Sequence, residues 1–527
     1  MQYEIASLLP PAVAIVLAIV SRRVVLPLLA GVVCGGIILA WDDPDRSLLS
    51  IVFRTLWGEA WDPGNLQVLQ FSLLFGGMVG VLEAGTAMKL LIAWLSKRIR
   101  NRRHAQAAIG ISGLIVFFDD YANTLLVGTT MRSTADRYRL SRAKLAYLVD
   151  STAAPVAGLA VVSTWAATEL RLLTQGLQNA GIDDGTQVFA MFMQSVPYRF
   201  YPILALVMVF VIACTGRDFG PMKQSEAEAD ADRGDGPDSD AATSDPVALR
   251  GHWIGAVLPV VICVATVAGS LIWTGAARLG PQAAYGSAEG LRQILGEADA
   301  NLSLVIGGRV GLLVAVACYL GIPSSAGGKP HSPRACLLAA LSGAWQMMPA
   351  MLVLWLAWSL SSLTDEDALD TGGYLASLLS ERLSDQWLPT VVFLVAAATA
   401  FATGTSWGTM AILTPVAVSL AVQFSAAADP TGTLTIATFG SVLAGAIFGD
   451  HCSPISDTTV LSSRATGCDH MVHVRTQMPY ALLVGLVSLV CGRLSIGFGL
   501  SPWILILAGA VVLYAVVRYV GRRPAES

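Results

Sequence analysis

Long apolar runs recur along this chain, each close to the length that a helix needs to cross a membrane. A hydrocarbon core of about 30 Å requires roughly 20 apolar residues per helix. The composition agrees, because 54% of the 527 residues are hydrophobic and only 13% are charged, against about 25% charged in ordinary soluble proteins. The sequence therefore predicts an all-α polytopic membrane protein. A β-barrel would show short alternating segments instead.

Charged loops predict how the chain crosses the membrane, because basic loops remain on the cytoplasmic side. Basic residues cluster at residues 97–103 and 132–144 and recur at Arg22, Arg23, Arg464 and Arg475. Acidic loops at residues 42–45, 183–184 and 365–367 are expected outside. The first apolar run has neither the basic region nor a clear cleavage site of a secretory signal, so we interpret it as a span. The N-terminus is expected outside and the C-terminus in the cytoplasm.

These loops divide the chain into about 11 transmembrane helices and two further apolar segments. The predicted spans are residues 5–21, 24–41, 68–96, 143–170, 188–213, 252–274, 301–321, 335–362, 434–463, 476–498 and 503–519. The two remaining segments, residues 105–130 and 387–426, each have loops of one charge type on both flanks. Each segment should therefore enter and leave on the same side. We interpret them as re-entrant hairpins, the first from the cytoplasm and the second from outside.

The order of spans and hairpins predicts an inverted repeat. In residues 68–215 and 335–498 a span, a hairpin and two more spans follow in the same order with opposite orientation. The motifs echo each other weakly: "DSTAAPV" with "DHCSPIS", and "DDYANT" with "TGTSWGT". Pro155 and Pro454 predict breaks at membrane depth, because proline removes a backbone hydrogen bond. Paired hairpins and broken helices are typical of transporter binding sites.

Domain boundaries follow from this pattern. We predict N-terminal scaffold helices at residues 1–67, repeat 1 at 68–215, a disordered acidic cytoplasmic linker at 216–250, connecting helices at 251–334, repeat 2 at 335–498, and a C-terminal helix and tail at 499–527. Residues 225–245 hold eight acids and one base without apolar periodicity, which is typical of a solvated, disordered segment.

Buried acids are the strongest functional signal in the sequence. Five aspartates fall within predicted membrane segments: Asp119, Asp120, Asp150, Asp450 and Asp457. Each costs roughly 2.5–3.5 kcal/mol at the bilayer centre without compensation. The polar residues predicted around them are Asn123, Thr124, Ser151, Thr152, Thr405, Ser406, His451, Ser453, Ser456 and Thr458. No Lys or Arg occurs in residues 113–131, 150–170 or 401–463. Oxygen ligands suit a hard cation, and carboxylates can exchange that cation for protons.

Structural explanations exist for single residues. One aspartate alone could cap an unwound helix or bond a neighbouring helix. Glu83 lines the pathway or makes a helix contact, and Glu169 is expected at the membrane interface. His470 and His473 form an HxxH pair in a basic loop, which rarely signals a metal site. His451 lies deeper and could respond to protons.

Two motifs resemble the signatures of the NhaC family of sodium/proton antiporters, within the ion-transporter superfamily. They are "FFDDYANTLLVG" at residues 117–128 and "GDHCSPISDTTVLSS" at residues 449–463, and the resemblance extends over residues 12–517. It implies antiport of Na⁺, with Li⁺ or K⁺ as alternatives, against H⁺, without a cofactor. It also implies a homodimer with an elevator-like transport domain in the cell membrane. Related families carry lactate, malate or amino acids, so the cargo stays open.

Three hypotheses follow. In the first, Asp120 and Asp457 bind Na⁺ and the exchanged protons, with Asp150 and Asp450 as alternate protonation sites; the neutral ligands are Asn123, Ser453, Ser456 and Thr458. In the second, the protein is a cation-coupled carrier of a small organic solute. In the third, it is an intramembrane hydrolase that uses Asp450 and His451 or a metal at His470 and His473, although no nucleophile elbow or HExxH motif occurs. No nucleic-acid partner is expected.

Overall fold

The computed structural model shows a helical membrane protein. It describes residues 3–21, 23–42, 47–85, 87, 91, 99–182, 187–231, 254–280, 283, 285, 287–321, 332–365, 367–371, 373–374, 377, 384–425, 429 and 431–523. Within these ranges, extended backbone pairs only in the isolated bridge between Asp218 and Arg522.

The helices follow the predicted organisation in order. The N-terminal helices are α1 (Leu9–Ser21), α2 (Val25–Asp42) and α3 (Leu48–Trp61). Predicted repeat 1 contains α4 (Pro63–Ala84), α5 (Arg102–Ile115), α6 (Asp120–Thr130), α7 (Arg132–Arg137), α8 (Arg142–Ala157), α9 (Thr164–Gln178), α10 (Val188–Ser195) and α11 (Phe200–Thr215). Four helices connect the repeats: α12 (Gly220–Ala231), α13 (Ile254–Leu279), α14 (Ala288–Gly296) and α15 (Ala300–Gly321). Predicted repeat 2 contains α16 (Pro333–Gln346), α17 (Met348–Leu363), α18 (Leu388–Thr403), α19 (Ser406–Phe424), α20 (Thr433–Cys452), α21 (Asp457–Thr466) and α22 (His470–Phe498), and α23 (Pro502–Val520) ends the fold.

The polytopic all-α prediction is confirmed. Nine helical segments among the described residues are long and apolar enough to cross a membrane. A tenth is added if the helices before and after Arg199, which bend by 48°, form one span. The first two apolar helices are shorter than this test requires. The number of spans therefore stays a prediction.

Four helix breaks organise the centre of the molecule. Both predicted hairpin segments contain two helices with a break between them, α5 to α6 and α18 to α19. The two spans that follow are also broken, between α8 and α9 and between α20 and α21. Pro454 lies in its break as predicted. Pro155 does not, because α8 continues to Ala157 and the break begins at Gly158, whose N–H still donates to the Ala154 carbonyl at 2.9 Å.

A side-chain cap starts each helix that follows a break. Asp119 accepts a hydrogen bond from the Ala122 N–H at 2.9 Å, and Ser163 accepts one from Ala166 at 3.0 Å. Thr405 and Ser456 cap α19 and α21 in the same way, at 3.4 and 3.1 Å. These caps satisfy N–H groups that would otherwise lie unpaired in an apolar interior. Four helix N-termini, each with its positive dipole end, thus lie inside the protein.

Backbone hydrogen bonds join the breaks in two pairs. The Thr164 N–H donates to the Phe118 carbonyl at 3.2 Å, and the Asp457 N–H donates to the Gly404 carbonyl at 3.1 Å. Gly404 has φ +71°, and a Cβ there would lie 2.4 Å from the Ile455 carbonyl oxygen. Only glycine fits both the conformation and this close approach. Each hairpin break therefore lies against the break of the span that follows it.

The predicted acidic linker begins later than the sequence indicates. Residues 220–231, inside the predicted 216–250 boundary, form α12 and pack on the helical body. Asp218 is buried between Lys144 and Tyr480. Glu226 is buried too and pairs with Arg102 at 2.7 Å. These ion pairs neutralise acids that composition alone counts as solvated. The rest of the predicted linker lies outside the described residues.

Candidate functional site

Two aspartates occupy equivalent positions on helices that pack together. Asp120 is the first residue of α6, Asp457 is the first residue of α21, and the two helices are in contact. Asp120 is 0% exposed, and none of the described residues donates a hydrogen bond to either of its carboxylate oxygens. Asp457 accepts from the Tyr121 hydroxyl at 2.7 Å and from the Thr458 N–H at 2.8 Å. The two carboxylates lie close enough to repel each other.

Asp119 is the cap rather than a free ligand. One carboxylate oxygen accepts from Ala122 and the other from the Thr164 hydroxyl at 3.0 Å. The adjacent acids of "DDY" therefore differ in role, since one closes the break and the other faces the interior without a donor.

Asn123 holds the first hairpin together. Its amide nitrogen donates to the carbonyls of Gly113 at 2.8 Å, Val116 at 3.0 Å and Thr152 at 3.3 Å. Two of these carbonyls belong to the end of α5, where no intrahelical partner remains. The Asn123 amide oxygen and the Thr124 hydroxyl are buried and receive no hydrogen bond within the described part of the chain.

The second signature supplies a parallel set of oxygens. Asp450 accepts from the Thr458 hydroxyl at 2.8 Å, while its other oxygen has no donor among the described residues. The Ser456 hydroxyl lies 3.0 Å from that of Thr458. Ser453 donates to the Phe401 carbonyl at 2.7 Å and so supports the neighbouring α18.

Asp150 lies apart from the first hairpin break. It accepts from Thr459 at 2.9 Å and from the Gln477 amide at 2.6 Å, and His473 lies 3.9 Å away. Its second oxygen is buried with no donor in the described ranges. Asp150 thus connects α8 to α21 and α22.

The other predicted ligands divide into bonded and unbonded groups. Thr152 donates back to the Leu148 carbonyl at 2.8 Å, and Ser151 is buried beside Tyr147. These two side chains are used within their own helix. Thr405 caps α19, whereas the Ser406 hydroxyl is buried without a partner in the part of the chain that the structure describes.

Two tryptophans were missed by the sequence reasoning. Trp165 and Trp407 are the second residues of α9 and α19, and their rings meet edge to face with centroids 5.5 Å apart. Both indole N–H groups are buried, and no described residue accepts a hydrogen bond from them. A signal was present, because "STW" at residues 163–165 and "TSW" at residues 405–407 repeat one pattern of cap and aromatic.

A buried ion pair corrects the prediction for Glu169. It is fully buried rather than interfacial, and it lies 2.7 Å from Arg199, which is 0% exposed. Arg199 also donates to the Gly158 carbonyl, at the break between α8 and α9. Sequence windows free of Lys and Arg could not reveal this cation, because it comes from the bend before α11. The pairing neutralises both charges.

Three histidines are bonded within the protein. His451 lies 3.0 Å from the Tyr201 hydroxyl through Nδ1, and its Nε2 has no partner in the described ranges. His470 and His473, the HxxH pair, lie in the first turns of α22, and both ring nitrogens of each histidine are within hydrogen-bond distance of protein atoms. No group of three metal-ligating side chains occurs among the described residues. The structure therefore gives the metal hypothesis no support.

Buried acids at paired helix breaks, in a polytopic helical protein, define a secondary transporter. Residues 156–493 match the Na⁺/H⁺ antiporter family. The chain belongs to that family, which confirms the resemblance carried by the two motifs. It is a transporter of the antiporter class, exchanging cations or solutes, and not an enzyme.

Relatives and solved structures agree on the class. An uncharacterised protein of Haemophilus influenzae is 32% identical over 98% of this chain and 95% of its own length. Shorter matches cover 21% of this chain and 23% of an uncharacterised Na⁺/H⁺ antiporter of the same organism, at 35% identity, and 15% of this chain and 15% of the malate-2H⁺/Na⁺-lactate antiporter of Bacillus subtilis, at 38% identity. The YdaH transporter of Alcanivorax borkumensis has a similar fold, with a TM-score of 0.55 at 16% identity over 86% of this chain and 90% of that chain.

Proposed function

We propose that this protein exchanges Na⁺ for H⁺ across the cell membrane by alternating access, with Li⁺ and K⁺ as competing cations. One observation carries the proposal. Asp120 is buried at a helix N-terminus, and neither of its oxygens accepts a hydrogen bond from a described residue. An ionised carboxylate in that position needs a cation, and a neutral one needs a proton. Binding of either ion therefore excludes the other.

The ligands proposed for Na⁺ surround this carboxylate with oxygens. Asp120 and Asp457 supply charge, while the free oxygen of Asn123 and the hydroxyls of Ser456 and Thr458 supply neutral ligands. Ser453 also remains in the proposed set, although its hydroxyl hydrogen is donated to Phe401. Asp150 and Asp450, each with one unpaired oxygen, serve as alternate protonation sites. No cofactor beyond the transported ions is proposed.

Alternating access would move the hairpins and broken spans together relative to a scaffold formed by the first two helices and the last. The backbone bonds that join the breaks in pairs support this, because they let each hairpin and the following span move as one unit. The inverted repeat, a homodimer, an outside N-terminus and a cytoplasmic C-terminus belong to the same proposal.

Proton movement in proteoliposomes tests this function. The purified protein is reconstituted with an entrapped pH dye, a pH gradient is imposed, and NaCl, LiCl, KCl or choline chloride is added. We expect Na⁺ and Li⁺ to collapse the gradient in the wild type, and not in Asp120→Asn. Glu228→Gln, at an exposed position on α12, is the matched control. No response to any cation in the wild type would refute the proposal.

A second candidate is a cation-coupled carrier of a small organic acid. The paired indole N–H groups of Trp165 and Trp407 favour it, because they are buried donors with no described acceptor, as a carboxylate would require. The named malate and lactate antiporter among the relatives supports the same class. Gradient collapse that appears only when a hydroxy acid or an amino acid accompanies Na⁺ would favour this candidate.

A further inference from the structure

A chain of hydrogen-bonded side chains leads from buried Asp150 toward the surface. The His473 Nε2 lies 3.9 Å from the Asp150 carboxylate and 3.0 Å from the Gln477 amide oxygen. On its other side, His473 Nδ1 lies 2.9 Å from the Ser463 hydroxyl, which lies 3.2 Å from Nδ1 of His470. His470 is half-buried beside exposed residues at the start of α22. Imidazole and hydroxyl groups can both accept and donate a proton.

The outer nitrogens of both rings face acceptors only. His470 Nε2 lies 2.7 Å from the Pro454 carbonyl, so it carries a hydrogen. The Gln477 amide nitrogen donates to Asp150 and to the His451 carbonyl, which orients its oxygen toward His473 Nε2. That nitrogen also carries a hydrogen. In their neutral forms both rings therefore present a bare Nδ1 to the same hydroxyl.

One hydrogen is thus shared among three acceptors. The Ser463 hydroxyl has a single hydrogen, and it faces the two Nδ1 atoms and the Thr459 carbonyl at 2.7 Å. One additional proton on either ring would give that ring an Nδ1–H to donate to Ser463, and the hydroxyl could then donate to the other ring. The cluster is built to accept one proton.

We propose that His470, Ser463 and His473 relay protons between the surface and Asp150, a role that rests on the proposed Na⁺/H⁺ exchange. Protonated His470 passes its Nδ1 hydrogen to the Ser463 oxygen, and the hydroxyl hydrogen passes to His473 Nδ1. His473 then passes its Nε2 hydrogen to Asp150, across the 3.9 Å gap that a small ring movement closes. Nδ1 keeps the new hydrogen, and a ring flip restores the starting tautomer. One proton moves and no charge is left behind.

The surroundings of the relay fit this direction of transfer. The ionisable groups around His473 are Asp150 on α8, His451 on α20 and His470 on its own helix. At the outer end, Arg132 donates to the backbone carbonyls of residues 464 and 465 at 2.7 Å. The relay therefore opens beside the basic loops that are expected in the cytoplasm. Protons would enter or leave the site from that side.

Two transport measurements separate a relay from a structural role. In proteoliposomes, Na⁺-driven proton movement requires proton delivery, whereas exchange of ²²Na⁺ for unlabelled Na⁺ at equal pH does not. The variants are His473→Gln, His470→Gln and Ser463→Ala, with Ser463→Thr restoring the hydroxyl. His104→Gln, an exposed histidine on α5, is the control. Monodispersity after purification identifies variants that fail to fold, and His470→Gln lies where folding is least at risk.

We expect His473→Gln and Ser463→Ala to slow proton movement at least ~10-fold, since a positioned proton donor contributes about 10²–10⁴-fold. Their ²²Na⁺ exchange should stay within about twofold of wild type, and Ser463→Thr should recover proton movement. Proton movement that stays near wild type in folded variants overturns the relay, and so does an equal loss of both measurements. If the wild type itself shows no Na⁺-driven proton movement, the proposed exchange fails first, which is a distinct result.

Discussion

The two halves of this protein build the same pair of helix breaks with different side chains. Each half joins a hairpin break to the break of the next span through one backbone hydrogen bond. In the first half the acid follows the cap of the hairpin helix, at Asp120, and the tryptophan lies on the broken span, at Trp165. In the second half the tryptophan lies on the hairpin helix, at Trp407, and the acid lies on the broken span, at Asp457.

This exchange of positions has a spatial consequence. Helix α6 packs against α21, and α9 packs against α19. The two acids therefore meet on one side of the centre, and the two tryptophans meet on the other. A repeat with identical residues in both halves would instead distribute acids around all four helix ends. Concentrating the carboxylates lets them share one cation, which is the property that ion exchange requires.

The largest expected effect tests whether both acids form one site. Asp120→Asn and Asp457→Asn should each reduce Na⁺-driven proton movement by about 100-fold or more, because each removes a charge that alternately binds Na⁺ and a proton. Asp119→Asn should stay within about 10-fold, since asparagine caps helices as well as aspartate does. A loss in Asp119→Asn as deep as in Asp120→Asn would contradict the distinction between cap and ligand.

The next effect probes a feature seen only in the first half. Glu169→Ala should lower the free energy of unfolding by about 3–5 kcal/mol, because it leaves Arg199 charged and buried without its partner. Thermal unfolding in detergent measures this change. The double variant Glu169→Leu with Arg199→Met should recover most of the loss, since no unpaired charge remains. An undisturbed Glu169→Ala would show that the pair is not a stabilising element.

Glycine substitutions compare the two breaks directly. Gly404→Ala should destabilise the protein by roughly 1–3 kcal/mol, because φ is +71° and the new Cβ would meet the Ile455 carbonyl. Gly158 has φ −76° and its Cβ would approach only to 3.1 Å, so Gly158→Ala should have the smaller effect on the same melting temperature. The reverse order would mean that the second break can relax.

The caps should show the smallest difference between the halves. Ser163→Ala should destabilise the protein by about 1 kcal/mol, a typical value for a lost cap. Thr405→Ala should have a weaker effect, because its bond to the Gly408 N–H is 3.4 Å long against 3.0 Å for Ser163. Melting temperatures of the two variants, measured side by side, check this order.

The sequence located the breaks well because their residues are local signals. The hairpin "DDY" and the broken span around Pro454 both lie where the prediction placed them. Pro155 was placed in a break but lies in α8, since one lost hydrogen bond near a helix end does not stop the helix. The partners of the site were harder to find. Gln477 and His473 reach Asp150 from a helix more than 300 positions away, and no local pattern records that distance.

The sequence by itself determined the membrane setting, the helical class and the family, because hydropathy and signature motifs are properties of short stretches. Its buried aspartates also indicated an ion-linked function, since charge in an apolar segment needs compensation. Only the tertiary structure decided which acid caps a helix and which one lacks a donor. It alone brought Arg199 to Glu169 and the two tryptophans to each other. These outcomes depend on how helices pack, and packing joins residues that the chain keeps far apart.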